Sequence, residues 1–357
     1  MIIYLIVLAV VCLYGISFKG KNGFGDYMSP AKTGSIKGIF VIIVLFSHIR
    51  QYIAYDPAPF NAPFQKFLWA IGQLMVVAFL FYSGYGVALG LKNKDNYAKT
   101  LPKSRILKVF IHFDIAVLLF WITGLILGKN YPVKRVLLSL IGIDALGNSV
   151  WFIFDIIILY FLTFLVFSVA KKHIVAGTAV LTVLSIGASI AIYLWKGEQN
   201  WWYDTIMCFP LGMWYALAKP KIDKALLGSP VKWAVTTALT LAAFLTLHHF
   251  AADGYRIIFI IESLIFALLI SFISMRVSIN NNILQWFGKR VFGIYILQRI
   301  PMLILYNYGA QENAFLFAAV SFAATIVMAE IFERAMDKLD IALRLSKKNK
   351  RTRFMSV

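Results

Sequence analysis

The sequence contains little charge and little cysteine. Only 14% of its 357 residues are charged and 61% are hydrophobic, whereas a soluble domain is about a quarter charged and about half apolar. With a mean hydropathy of +0.77, this composition predicts a polytopic membrane protein and excludes a soluble globular domain. The two cysteines, Cys12 and Cys208, lie in apolar stretches without metal-ligand spacing, so we expect neither a disulfide nor a metal site.

Acidic residues are also scarce, with 16 Asp and Glu against 35 Lys and Arg, and the net charge is +19. Such an excess is typical either of nucleic-acid binding or of the cytoplasmic loops of a membrane protein. In a chain this apolar we expect the second, with the lipid bilayer and not nucleic acid as the partner. The first apolar stretch has no basic region before it and no small-residue cleavage site, which predicts a retained span rather than a signal peptide.

Apolar segments set the predicted architecture, because a membrane-spanning helix needs ~20 mostly apolar residues. Eleven segments qualify, of which the first is short and the seventh marginal, so we predict an all-α transmembrane bundle of about 10–11 spans. Residues 131–143 are too short and are predicted to be interfacial or re-entrant. The eleven segments cover approximately residues 1–17, 36–54, 67–91, 106–127, 149–170, 174–194, 201–218, 232–250, 256–275, 287–308 and 314–336.

The distribution of Lys and Arg predicts the orientation. If the loop after the first segment is cytoplasmic and the sides then alternate, 27 of the 35 basic residues fall inside and eight lie outside or within outer helix ends. Cytoplasmic loops of membrane proteins carry such a bias. We therefore predict an N-terminus outside and a cytoplasmic C-terminus, in a multi-pass protein of the plasma (inner) membrane of a bacterium.

Ionisable residues inside the apolar segments are few, and such residues usually face the interior of a bundle or an aqueous cavity. They are His48, His112, Asp114, Asp155, Glu262, Arg299 and Glu330, with Gln298 as a polar companion.

Lys37 and His48, which lie in the same apolar segment (36–54), are the most informative polar residues. Eleven residues make about three helical turns, so the two side chains share a face about 16 Å apart. Imidazole suits proton transfer near neutral pH, and Lys37 at a cytoplasmic mouth suits an anionic donor. The residues alone leave an alternative open, in which Lys37 is an ordinary positive-inside residue and His48 is hydrogen-bonded in the core.

Several stretches together resemble the integral-membrane acyltransferase-3 family. "SIKGIFVIIVLFSH" (35–48) is similar to its first conserved helix, in which Arg, ten residues and His form the usual pattern. Further stretches follow in the family's order: "FLFYSGYGVALGL" (79–91), the basic "LPKSRILKVF" (101–110), "SVWFIFDIIILYFL" (149–162), "FPLGMWYA" (209–216) and "FGKRVFGIYILQRIPMLIL" (287–305). Three departures matter: Lys37 replaces the usual Arg, Gln298 stands where a second His is common, and the span 1–17 precedes the family core, which usually has ten helices.

The resemblance implies three parts of the chain and an activity. Residues 33–338 form an acyltransferase-3-like membrane domain, 1–32 an extra N-terminal transmembrane helix and cytoplasmic loop, and 339–357 a basic cytoplasmic tail. The implied reaction moves an acyl group, commonly acetyl, from cytoplasmic acyl-CoA to a hydroxyl of an extracytoplasmic or lipid-linked glycan. Acetyl-CoA is then the donor, no metal takes part, and a separate extracytoplasmic protein is a possible partner.

The resemblance also implies roles for individual residues. His48 is the catalytic base, and Asp155 or Glu262 orients it. Lys37, Arg105 and Lys289 are candidates for binding the phosphates of acyl-CoA, although positive-inside topology also explains Arg105 and Lys289. Candidates for contacting the substrate or the carbonyl oxygen of the transition state are Trp151, Tyr295 and Gln298.

Two other functions remain open. A transporter or flippase for a saccharide or lipid-linked precursor would use the same aromatic interior without covalent chemistry, but it is expected to show broken helices and internal symmetry, which the sequence does not clearly contain. A non-catalytic membrane sensor is the other alternative, against which the lack of a soluble domain argues.

Overall fold

The computed structural model describes residues 1–251, 254 and 256–345, and it confirms the predicted all-α, polytopic class. Within that part of the chain, eight helical runs are long and apolar enough to cross a membrane. They are Pro30–Arg50, Ala62–Asn93, Tyr97–Ile126, Trp151–Ala170, Ile174–Lys196, Pro230–Ala251, Arg256–Ser274 and Ala314–Ala342.

The secondary structure consists of α-helices, a few single turns and one pair of short antiparallel strands that are distant in sequence. The α-helices in chain order are α1 (Ile2–Leu13), α2 (Pro30–Arg50), α3 (Ala62–Ile71), α4 (Leu74–Asn93), α5 (Tyr97–Leu101), α6 (Lys108–Ile126), α7 (Val133–Leu140), α8 (Trp151–Ala170), α9 (Ile174–Lys196), α10 (Cys208–Leu226), α11 (Pro230–Ala251), α12 (Arg256–Ser274), α13 (Asn282–Lys289), α14 (Val291–Leu297), α15 (Arg299–Asn307) and α16 (Ala314–Ala342). A π-helical turn (Pro102–Leu107) joins α5 to α6, and 3-10 turns occupy Asn200–Trp202 and Ala310–Glu312. Strands β1 (Ile16–Phe18) and β2 (Val277–Ile279) pair antiparallel, with Ser17 opposite Ser278.

Three of the eleven predicted spans differ in detail from the helices observed. The first is the 12-residue α1, the seventh begins only at Cys208, and the tenth is divided among α13, α14 and α15. The break between α14 and α15 falls at Gln298 because Pro301, three residues later, has no N–H to donate to the carbonyl of Leu297. The segment 131–143 contains only the short helix α7.

Helix α2 lies at the centre of the bundle. It begins with Pro30 at its first turn, where the missing N–H has no helical partner in any case. The apolar side chains from Phe40 to Phe46 are all buried, so neighbouring helices surround α2 on every side. The helix that carries Lys37 and His48 is therefore a rigid core element.

Glycine sets the closest approach between α2 and α13. A Cβ on Gly38 would lie 2.0 Å from the carbonyl oxygen of Leu284, and one on Gly288 would lie 1.9 Å from that of Gly34. Small residues permit such backbone contact between membrane helices. Glycine allows the same close approach of α4 to α10, where a Cβ on Gly84 would lie 1.9 Å from the carbonyl oxygen of Phe209.

Asn281 fixes the position of α13. Its amide nitrogen donates to the carbonyls of Val11 (2.9 Å) and Tyr14 (2.8 Å), and its side-chain oxygen accepts from the N–H of Leu284. An N-cap of this kind satisfies a free backbone donor at the helix start. The N-terminal segment and α13 together form the support against which the first half of α2 rests.

Candidate active site

A cavity of about 860 Å3 opens at the C-terminal end of α2. Four parts of the fold enclose it: the end of α2, the α3–α4 junction, the segment before α8 with its first residue, and the end of α9 with the turn that follows. Arg299 and Tyr295 close the remaining side. The cavity falls within the ~300–1,000 Å3 range of small-molecule sites. Among the predicted site residues, it brings together His48, Trp151 and Tyr295.

His48 is buried in the cavity wall, with 9% of its surface exposed. Its Nε2 atom lies 3.4 Å from the hydroxyl of Ser149. The Nε–H of Arg299 donates to that same hydroxyl at 3.0 Å, so the hydroxyl hydrogen of Ser149 remains free to point at His48. This network assigns the lone pair of His48 to Nε2, the ring nitrogen nearest the Ser149 hydroxyl.

Arg299 is held entirely by neutral groups. Its guanidinium donates to Ser149, to the hydroxyl of Tyr52 (3.4 Å) and to the side-chain oxygen of Gln51. It takes part in none of the ion pairs formed within the described residues. Its charge is therefore available to an anionic or polarised group in the cavity.

Gln298 lies beside His48 at the break between α14 and α15. It is fully buried, and its amide nitrogen donates to the carbonyl of Tyr295 at 3.0 Å. Its side chain lies near His48. The buried His48 Nδ1 and Gln298 Oε1 atoms each have no hydrogen-bond partner among the described residues. One is a donor in the tautomer assigned above and the other an acceptor, so the two atoms complement each other.

Tyr295 and Asp155 form a buried polar pair next to the cavity. The rings of Tyr295 and His48 are 6.3 Å apart between centroids, and the Tyr295 hydroxyl has no hydrogen-bond partner in the described structure. Asp155 is fully buried, without a hydrogen bond from any described residue, and is close enough to Tyr295 for an electrostatic interaction. It does not line the cavity, and the structure places it near Tyr295 rather than against His48.

Glu262 lies elsewhere in the bundle. Its carboxylate is fully buried at the interface of α11 and α12, where its Oε1 atom is 2.6 Å from Nδ1 of His248. It does not line the cavity either. The polar side chains that the structure brings to His48 are Ser149, which is hydrogen-bonded to it, and the nearby Gln298, and neither of the two carboxylates is among them.

A second pocket, of about 480 Å3, is lined by residues from the end of α4 to the start of α6 together with Leu345, and Asp95 is the carboxylate among them. Arg105 lines it from the π-helical turn, together with Lys94 and Lys108. Arg105 contacts the ring face of Tyr160 at 5.9 Å and is near enough to Lys37 for the two cations to repel each other. Neither cation belongs to an ion pair formed by the described residues, whereas Lys108 is paired with Asp340.

Lys289, the third predicted phosphate-binding residue, is exposed at the end of α13. It does not line the second pocket. The contact of Gly288 with Gly34 nevertheless places Lys289 at the same end of α2 as Lys37.

The family is decided by a match over most of the chain. Residues 35–333 fit the family model described as the acyltransferase domain, and these residues include both pockets apart from Leu345. The chain belongs to the acyltransferase-3 family. It is thus a membrane acyltransferase, which uses an acyl donor and an acceptor. No curated protein and no solved structure shows a significant match to the chain.

The geometry of this acyltransferase adds residues that the sequence did not single out as functional. Ser149, Asn148 and Arg50 line the cavity with Arg299, which the sequence identified only as an ionisable residue within an apolar segment. Arg50 follows His48 by two residues, and Ser149 is the first residue of the "SVWF" stretch. Their positions next to the motifs already recognised could have identified both as candidate site residues. No group of three or more His, Cys, Asp or Glu side chains that could hold a metal ion occurs in residues 1–251, 254 and 256–345.

Proposed function

We propose that this acyltransferase moves an acyl group, acetyl in the simplest case, from acyl-CoA to a hydroxyl of an extracytoplasmic or lipid-linked glycan. The observation that carries the proposal is the placement of His48. It is a buried imidazole in the wall of a large polar cavity, with Nε2 facing that cavity's Ser149 and no carboxylate attached to it. A base of this kind in a family of acyltransferases has one obvious task, which is to take the proton of the attacking hydroxyl.

The reaction balances without a covalent enzyme intermediate. The acceptor hydroxyl displaces the long contact from Ser149, gives its proton to His48 Nε2, and its oxygen attacks the thioester carbonyl. The tetrahedral intermediate then collapses, and the C–S bond breaks. The thiolate of CoA takes the proton back from His48, which leaves an ester, free CoA and neutral His48.

Gln298 positions the base in this proposal. If the Nδ1–H of His48 donates to the amide oxygen of Gln298, the proton stays on Nδ1 and the lone pair stays on Nε2. The amide would then do for His48 what a carboxylate does in other His-based sites. Because the Gln298 nitrogen is committed to the Tyr295 carbonyl, the amide cannot turn over without losing that bond. Asp155 would act one step further away, through Tyr295, and Glu262 would stabilise the α11–α12 interface.

Arg299 and Tyr295 are the donors for the negative charge that develops on the thioester oxygen. Both lie beside His48 on the cavity wall, and the hydroxyl of Tyr295 has no hydrogen-bond partner in the described structure. Donors that are already in place before the reaction cost no reorganisation when the charge forms. Trp151, which lines the same cavity, would then contact the acceptor.

The donor would reach this site from the other end of α2. Lys37 and Arg105 lie there without ion-pair partners among the described residues, and repulsion between two close cations is relieved by a phosphate between them. The span of about 16 Å from Lys37 to His48 would be covered by the extended part of acyl-CoA. Lys289, at the same end, would add long-range attraction.

The positive-inside bias gives this arrangement a direction. It assigns the Lys37 end to the cytoplasm, where acyl-CoA is made, and the cavity to the outer face, where a glycan acceptor is found. The proposed location is the plasma membrane of a bacterium, and a separate extracytoplasmic protein would be needed only if the final acceptor is too large to enter the cavity.

The test uses the full chain purified in detergent with radiolabelled acetyl-CoA and a panel of cell-envelope glycans. We expect label in the glycan fraction with the wild type and at least about a hundredfold less with His48→Ala, since general-base catalysis contributes about 10²–10⁴-fold. His173→Ala, in the exposed α8–α9 connection, is the matched control. Equal labelling by His48→Ala would exclude the proposed base, and the absence of any turnover of acyl-CoA by the wild type would favour the transporter.

A further inference from the structure

The cavity beside His48 contains an excess of positive charge. Arg50, Lys196 and Arg299 line it, and Asp144 is the only carboxylate among the lining residues. Arg135, which does not line the cavity, lies 3.6 Å from Asp144 and offsets its charge. Asp144 is also close enough to Lys196 for an electrostatic interaction, whereas Arg50 and Arg299 form no ion pair within the described residues. The cavity therefore keeps a net positive charge.

These three cations are exceptions to the topology of the chain. Most Lys and Arg residues lie on the side assigned to the cytoplasm, and Arg50, Lys196 and Arg299 are three of the eight that do not. The positive-inside rule explains the majority, but it disfavours cations on the opposite side. Their convergence on one cavity calls for a different cause, which is recognition of a ligand.

Unpartnered donors point to the same kind of ligand. Arg50 Nε and Asn148 Nδ2 are buried atoms that have no hydrogen-bond partner in the described structure. The amide orientation of Asn148 is fixed, because its oxygen accepts from the N–H of Leu146 at 3.0 Å. Both atoms are donors on cavity-lining residues, and a buried donor left unpaired costs free energy, so the cavity is built to receive oxygen acceptors.

Aromatic side chains surround Lys196. Its ammonium group lies 3.9 Å from the ring centroid of Trp195 and 3.9 Å from that of Trp202. These two contacts hold the cation at the cavity wall without neutralising it. The exposed rings of Trp69 and Trp201 line the same cavity and offer flat apolar faces to a ligand.

We propose that the acceptor is an anionic saccharide, whose carboxylate or phosphate binds Lys196, Arg50 and Asn148 while a sugar ring packs on the exposed tryptophans. The hydroxyl to be acylated then points toward His48, and Arg299 remains beside it. The inference rests on the proposed function only in taking this anion to belong to the acceptor. The binding itself requires no acyl transfer.

The test is equilibrium binding, by calorimetry, to the full chain in detergent without any acyl donor. The first probe is trigalacturonate, compared with its fully methyl-esterified form, which removes the charge and keeps the sugar. The second is glucose 1-phosphate, compared with glucose. We expect at least about tenfold tighter binding of one acid than of its neutral counterpart, because charge-assisted hydrogen bonds are about twice as strong as neutral ones, and a preference that falls with added salt.

Variants assign the preference to the cavity. Lys196→Gln and Arg50→Gln should each reduce the ratio of acid to neutral affinity several-fold, whereas Lys129→Gln, an exposed outer cation outside the cavity, should leave it unchanged. His48→Ala should also keep the preference for the acid over its neutral counterpart. A loss of acyl transfer and a loss of anion binding can therefore be told apart. Equal affinity for both members of each pair, or no binding of either, would overturn the proposal. So would competition by CoA that depends on Lys196, because the cations would then serve the donor.

Discussion

Replacing Gly38 by Ala is the sharpest test of how α2 is held. The new Cβ would lie 2.0 Å from the Leu284 carbonyl oxygen, whereas ordinary contact begins at 3.4 Å. Helices α2 and α13 would therefore have to separate by about 1.4 Å, the difference between those distances. The obstacle is backbone, which cannot rotate away, so we expect a cost near the upper end of the ~1–3 kcal/mol typical of overpacking.

Gly34→Ala is the matched control on the same helix, one turn earlier. Nothing lies within 4 Å of a Cβ at Gly34, so this change adds only the helix preference of Ala, about 0.5–1 kcal/mol of stabilisation. Because both variants gain that preference, comparing them isolates the clash. We expect Gly38→Ala to be less stable than Gly34→Ala by about 3 kcal/mol, which corresponds to several degrees in Tm.

The assay is thermal unfolding in detergent followed by tryptophan fluorescence, with acyl transfer measured in parallel. A shift of α2 by more than 1 Å moves His48 relative to Gln298 and Ser149, and a misplacement of that size costs about a hundredfold in rate. Equal Tm values for the two variants would refute the close packing of α2 on α13. A less stable but fully active Gly38→Ala would instead refute the idea that this packing positions His48.

Three further predictions concern separate parts of the molecule. Arg105→Gln should raise the apparent KM for acyl-CoA about tenfold with little change in kcat. Lys103→Gln, at an exposed neighbour outside the second pocket, should leave that KM unchanged. Equal KM values for the two variants would exclude Arg105 from the donor site. Gln298→Leu should lower kcat about 10–100-fold, as loss of an outer hydrogen-bonding partner does in other sites, while the KM for acyl-CoA stays unchanged; a parallel change in KM would indicate a general structural defect. Asp204 lies ahead of α10, outside the eight runs that could span a membrane, and burial raises its pKa to about 7. The folded state thus keeps this proton up to a higher pH than the unfolded state, so the stability of the fold should fall as pH rises from about 4 to 7. Asp204→Asn should make this decline less steep in Tm values measured across that pH range. An unchanged slope would contradict the prediction.

The sequence predicted most of the membrane architecture. Continuous apolar runs need no knowledge of neighbours, so eight of the eleven predicted spans coincide with long helices. Lys37 and His48 were placed on one face by spacing alone. In the tenth span the prediction differed partly because of local backbone chemistry, since Pro301 interrupts the helix and the break leaves Gln298 near His48.

The partners of His48 were beyond the reach of the sequence because they come from distant segments. Ser149 is 101 residues away and Arg299 is 150 residues from Ser149, and the sequence carries no signal for which apolar helices become neighbours. Glu262 shows the same limit. Its place within a span suggested a buried role, but only the fold reveals that His248 is its partner.

The neutral surroundings of His48 follow from the presence of Arg299. A carboxylate in hydrogen-bonding reach of the imidazole would also attract the nearby guanidinium, and the resulting ion pair would neutralise the cation before the reaction begins. Ser149, Gln51 and Tyr52 hold Arg299 with hydrogen bonds to neutral groups alone, and the hydrogen bond of His48 is also to the neutral Ser149. In the proposed reaction, the full charge of Arg299 would then remain for the oxyanion, where it would contribute most. Gln298, an amide where the family resemblance implied a second histidine, fits the proposed division of roles, in which one residue would hold the base and another would stabilise the charge.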